Sequence, residues 1–143
     1  MSDNYDAGQS ILDIDTSDAI EPSVVEPGEY GIRITGYKSK EVDGVKTNIY
    51  VSESGNKGFI VNFDIPNEPT SKGFSKYFSL PSEDFEPKRN NAIKWELDCF
   101  KRAFNMTDIN FGRSGQEGYA LLKVTESEQY GKQNEVVKFI TGA

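Results

Sequence analysis

Gly58-Phe59-Ile60-Val61-Asn62-Phe63-Asp64-Ile65 and Gly73-Phe74-Ser75-Lys76-Tyr77-Phe78-Ser79-Leu80 are the two runs that decide the fold of this chain. In the first, Phe59, Val61, Phe63 and Ile65 fall on one side of an extended backbone, and Asn62 and Asp64 on the other. In the second, Phe74, Phe78 and Leu80 share a side opposite Ser75, Tyr77 and Ser79, with Lys76 interrupting the apolar face. Period-two alternation marks a strand with one face buried. The intervening Pro66-Asn67-Glu68-Pro69-Thr70-Ser71-Lys72 cannot continue a sheet, because its two prolines have no N–H to give to a ladder. The pair therefore predicts a hairpin with an aromatic-rich core face.

Working outward, Glu29–Lys40 reads as a strand with Tyr30, Ile32 and Ile34 on one face, interrupted at Gly36 by a bulge or bend. Asp43-Gly44 is a two-residue turn signal, and 41–56 reads as an extra hairpin before the central pair. Downstream, Asn90 or Asn91 offers an N-cap for a helix over Ala92–Phe104. Ile93, Leu97, Phe100 and Phe104 form its core stripe. Asn105 suits the left-handed position that ends a helix. Trp95 projects from the opposite side and is either covered by the acidic N-terminal arm, the favoured reading, or exposed to a partner. Tyr119–Glu126 and Gln133–Ile140 close the chain as two more strands joined through Gly131 and Lys132.

At 143 residues the chain is expected to hold one folded domain burying about 70% of its unfolded surface. No apolar run approaches the ~20 residues of a membrane span, so a soluble protein without membrane contact is expected. The acidic N-terminus has no basic region followed by an apolar segment, so no secretory signal is expected and the location is read as cytoplasmic. The single cysteine, Cys99, precludes an internal disulfide and fits a reducing compartment. No histidine occurs, which excludes Cys/His zinc sites and every histidine-based general base or triad. Gly112-Arg113-Ser114-Gly115 lacks the spacing and lysine of a phosphate-binding loop, and Glu83, Asp84 and Glu86 read as solvated loop carboxylates. The sequence thus calls for no enzyme, cofactor or metal.

The net charge of −7 is unevenly placed. Residues 1–29 hold eight acids and no base; taking these from the 23 acids leaves 15 against 16 Lys plus Arg. This predicts an acidic flexible arm over residues 1–27 and a nearly neutral body over 28–143, on which local basic patches are allowed. Within the arm, Ile11, Leu12, Asp13, Ile14 and Asp15 set aliphatic groups among carboxylates. They either cap an edge of the body or bind a partner or groove. Asp13, Asp15 and Asp18 lack the glycine and closing glutamate of a calcium loop.

Three strands, a helix and two strands match a mainly β, five-stranded OB-fold-like barrel with one α-helix between strands 3 and 4. Val24-Val25-Glu26-Pro27-Gly28-Glu29-Tyr30, Gly73-Phe74-Ser75-Lys76-Tyr77-Phe78, Tyr130-Gly131-Lys132 and Asn134-Glu135-Val136-Val137-Lys138-Phe139 carry a further signal. Over about residues 24–141 the chain resembles small bacteriophage single-stranded DNA-binding proteins of OB fold. The resemblance implies a role in phage DNA replication, recombination or repair inside an infected bacterium.

Sequence-tolerant binding of single strands needs cations for phosphates and ring faces for bases. Basic and aromatic residues interleave in the body, and OB geometry selects Tyr37, Lys38, Lys40, Lys72, Lys76, Tyr77, Tyr130 and Lys132 as the candidate nucleic-acid-binding set. Tyr77 leads, because it projects away from Phe74 and Phe78. Each taken singly has a plainer reading as a solvated lysine or a cross-strand packing tyrosine. The expected partner is single-stranded DNA. The acidic arm is expected to compete for the groove or to recruit replication or recombination proteins, and oligomerisation stays open. The alternative is a phage virion, assembly or host-factor-binding protein that uses its small β-barrel as a docking module.

Overall fold

The computed structural model describes residues 11–142. The sequence expectations for the first ten residues of the arm lie outside the described residues. Residues 11–22 run exposed, with neither helix nor strand.

The elements are β1 (Gly28–Tyr37), β2 (Lys40–Val42), β3 (Val45–Thr47), β4 (Tyr50–Val51), β5 (Lys57–Asp64), β6 (Phe74–Ser79), α1 (Pro87–Ala103), β7 (Glu117–Ser127) and β8 (Gly131–Ile140). The central hairpin is β5–β6, antiparallel, with Phe59 opposite Phe78 and Phe63 opposite Phe74. On its other edge β5 pairs with β4 at one end and β1 at the other. The ladder then continues through β7 to β8, all antiparallel. The expected extra hairpin is β2–β3, turned at Asp43 and Gly44, both with positive φ (53° and 80°). Such a turn needs φ above zero at both central residues, which Asp-Gly supplies at low cost.

The described chain is mainly β with one helix. The sheet is not closed into the five-stranded barrel expected from sequence. Eight strands occur among the described residues, and hydrogen bonding leaves the sheet open between its ends, β6 and β8. Those two strands approach each other without pairing. The Phe100 ring of α1 packs against both strands, 4.7 Å from Phe78 of β6 and 5.5 Å from Phe139 of β8, and those two rings lie 6.0 Å from each other.

The core is a single cluster of Ile32, Ile34, Phe59, Val61, Phe63, Phe78, Phe100, Phe104, Leu122 and their neighbours. Burying rings of this size supplies most of the folding drive, with tilted and offset pairs adding to the area term. Two bulges set its phase. One lies at Thr35, between the pairs Ile34–Phe63 and Gly36–Asn62. The other lies at Val137, between Leu121–Lys138 and Leu122–Val136.

The helix also starts earlier than expected. Pro87 opens it, as suits a residue with fixed φ and no N–H to satisfy. Asn90 does not cap the helix; its side chain turns back onto Ser82, accepting from the backbone N–H at 3.1 Å and donating to the carbonyl at 2.8 Å. The C-terminus is as read: Asn105 has φ 55°, Asn105 N–H donates to Arg102 C=O (3.2 Å) and Met106 N–H to Lys101 C=O (2.8 Å). This is the Schellman arrangement. Phe100 and Phe104 are buried and Leu97 packs against the core, whereas Ile93 stays at its margin.

The arm ends before residue 27. Ser23 bridges Ser71 in parallel, and Val25 is buried with its backbone N–H and C=O both held by the Asn134 side chain at 2.9 Å. Ser23–Val25 therefore belong to the body. Trp95 is not covered by the described part of the arm and stands 62% exposed.

Candidate nucleic-acid interface

The outer face of β4–β5–β6 is built around a missing side chain. Gly58 lies opposite Tyr50 on β4 and Ser79 on β6. The Tyr77 ring, from one diagonal position along β6, lies across it, so a Cβ at residue 58 would collide with Tyr77 Oη and Cζ. Gly58 is buried as a result, while Tyr77 keeps 47% of its surface in solvent. Alternation puts Tyr50 on this same outer face. The two rings belong to strands flanking β5, roughly 10 Å apart at the usual strand spacing.

Cations frame these rings. Lys40 Nζ stands 4.8 Å above the Tyr50 ring centroid. Lys38 donates its backbone N–H to Ile60 C=O at 3.0 Å, and Ile60 is paired with Tyr77. Past the bulge at Thr35, Tyr37 points inward, so Lys38 points outward beside Ile60. Behind this face, Lys40, Thr47, Ile49, Val51, Lys57 and Leu80 line a groove of about 730 Å³ under the β2–β3 hairpin.

Further along, the outer face carries Asn62 and Ser75, joined by a 2.7 Å hydrogen bond, and then Asp64. Arg33 grips Asp64 through Nε (3.1 Å) and Nη2 (2.6 Å), and this contact raises the guanidinium pKa. The one acid on this stretch of β5 is thus paired rather than facing an incoming phosphate alone. Beyond it, Lys72 Nζ donates to Lys132 C=O at 2.7 Å, bringing the starts of β6 and β8 together, and Tyr130 is exposed in the β7–β8 turn.

The sequence-derived set therefore divides. Lys38, Lys40 and Tyr77 share one end of the outer face; Lys72 and the Lys132 backbone meet at the starts of β6 and β8, Lys132 lies on the same side of β8 as the buried Asn134 and Val136, and Tyr130 is exposed in the adjoining turn. Two members are elsewhere. Tyr37 packs edge-on to Phe111 at 5.3 Å and lies 6.2 Å from Phe59, with its hydroxyl pushed above the ordinary value by burial. Lys76 lies on the helix side, with Nζ 3.2 Å from Glu96 and 5.3 Å from the Phe78 ring. Tyr50 and Gly58 were missed as site residues. The signal was present in the strand register, since Gly58 on an otherwise aromatic strand marks a close approach by another group.

Among the described residues no cluster of three or more acidic or thiol groups is arranged to hold a metal, and no helix is long and apolar enough to cross a membrane. No family model matches the chain. Nor does any curated protein match it.

Proposed function

We propose that the chain is a non-catalytic, largely sequence-independent single-stranded DNA-binding protein with an OB-like curled sheet, serving phage DNA replication, recombination or repair. The reading rests on one observation above the others: the tip of the exposed Tyr77 ring lies over Gly58 on the face that also carries Tyr50, Lys40 and Lys38. An exposed ring held in place by its strand accepts any base, because every base has a π-face, and flanking cations take the phosphates on either side. The order β6–β5–β1–β7–β8 with a helix before β7 is the pairing an OB barrel would have if its last seam were opened. The phage setting comes from the sequence resemblance alone.

The test is binding of a fluorescent poly(dT) oligonucleotide followed by anisotropy across a salt series. The expected result is binding that weakens linearly in log–log form, with a slope near −0.7 per neutralised phosphate. Absence of binding at low salt would favour the docking-module alternative instead.

A further inference from the structure

A second exposed surface lies away from the β5–β6 outer face. Lys76, Trp95, Cys99, Arg102 and residues 136–142 border a groove of about 510 Å³ between α1 and β8. Val136, Phe139 and Ile140 give it apolar lining, and its rim mixes charges: Lys76 is paired with Glu96 (3.2 Å), Arg102 holds Asp98 (2.9 Å) and sits 5.3 Å from the Trp95 ring, and Lys138 and the bulged Val137 (51% exposed) stand on the strand side. β8 ends the sheet, so its outer edge offers unpaired backbone groups to an extended chain.

The arm has the complementary pattern. Ile11 and Leu12 are 89% and 84% exposed, and Ile14 is also exposed, with Asp13 and Asp15 interleaved. In an extended conformation Leu12 and Ile14 share one side while Asp13 and Asp15 share the other. We propose that the α1–β8 groove receives the Ile11–Asp15 segment of a second copy of this chain, which adds to the edge of β8 as a short strand. Leu12 and Ile14 then cover Trp95, and Asp13 and Asp15 meet Lys138 and the outer nitrogens of Arg102, whose Nε keeps Asp98.

Chain direction favours a second copy over the molecule's own arm. Lys72 and Lys132 mark the neighbouring starts of β6 and β8, and the groove lies further along both strands. Ser23 pairs in parallel with Ser71, so the chain upstream of Ser23 leaves in the opposite sense, away from the groove. Pro22 restricts a reversal at that point. The contact joins unlike surfaces, and two copies that each place their arm in the other's groove form a closed dimer with no site left over. This inference does not depend on nucleic-acid binding.

The sole tryptophan reports on the groove directly. With the full chain, Trp95 emission should shift to the blue as protein concentration rises, in step with a doubling of mass by light scattering. Leu12→Asp with Ile14→Asp, both on exposed positions that leave the core untouched, should abolish both changes. Mixing that variant with Arg102→Glu/Lys138→Glu, which keeps its arm but not its groove, should restore a dimer that neither forms alone. A concentration-independent blue shift at monomer mass would mean the arm folds onto its own body and would overturn the proposal. So would a constant mass with unshifted emission, or an emission change produced only by oligonucleotide.

Discussion

Asn134 and Val25, 109 residues apart, are joined by a two-way clasp: the Asn134 carboxamide accepts from Val25 N–H and donates to Val25 C=O, each at 2.9 Å. Its amide also reaches Lys123 C=O at 3.2 Å. Asn134 is the one buried polar residue of the described core, and it fixes where the arm stops and the body begins. Asn134→Ala leaves the Val25 backbone groups buried and unpaired. We expect a loss of about 2–3 kcal/mol in chemical denaturation, since each orphaned buried group costs about 1–3 kcal/mol.

The same clasp predicts two different truncations. Removing residues 1–21 takes away only exposed chain, and the unfolding midpoint of the body should stay put. Removing residues 1–26 also takes Val25 from the core and strands the Asn134 side chain, so its midpoint should fall as far as that of Asn134→Ala or further. Equal midpoints for the two truncations would show that Val25 contributes nothing to the body.

The features legible in the sequence were those written in local backbone chemistry. Alternating phenylalanines gave the β5–β6 hairpin, Asp43-Gly44 its turn, Gly36 a bulge and Asn105 the helix end. What a bulge does to everything after it is not written in local backbone chemistry. One extra residue at Thr35 reverses the alternation, turning Tyr37 onto Phe111 and leaving Lys38 outside. Lys76 was likewise open to two readings, because only the packed helix brings Glu96 within 3.2 Å of it. That β6 and β8 approach each other without pairing is a tertiary fact that no period records.

Gly118 predicts a steric limit at the helix–sheet contact. A Cβ there would lie 2.5 Å from Ala103 O and 3.2 Å from Phe104 Cδ2, where helix α1 ends against β7. The closest obstacle is backbone, which cannot rotate away. Gly118→Ala should cost about 1–3 kcal/mol by overpacking, read as a lower denaturant midpoint with an unchanged slope.

Tyr37 predicts a stability change confined to alkaline pH. Its hydroxyl has no hydrogen-bond partner among the described residues, and burial raises its pKa above the ordinary 10.0. The unfolded chain therefore loses this proton first. Stability is unaffected below pH 10 and declines as pH rises through the folded-state value. Tyr37→Phe should match or exceed the parent near neutrality, because no bond is lost, and its stability should fall less above pH 10. Parallel curves for the two proteins up to alkaline unfolding would remove Tyr37 as the cause.

Tyr77 and Lys76, adjacent in sequence, face opposite sides of β6, and that opposition separates a DNA-binding role from a packing role. Tyr77→Ala should weaken oligo(dT) binding by about 1–3 kcal/mol, the usual value of one stacked base, while Tyr77→Phe keeps the ring and most of the affinity. Lys38→Gln should lower the salt slope by about 0.7, the share of one phosphate contact on a single strand. Lys76→Gln should leave both affinity and slope alone, because its ammonium is engaged by Glu96 on the helix side. The decisive comparison is Lys38→Gln against Lys76→Gln: two lysine losses of equal charge should differ in salt slope only if the strand runs along the outer face. If Lys76→Gln lowers the slope as much as Lys38→Gln, the nucleic acid crosses the helix side, and the Tyr77–Gly58 platform is not its seat.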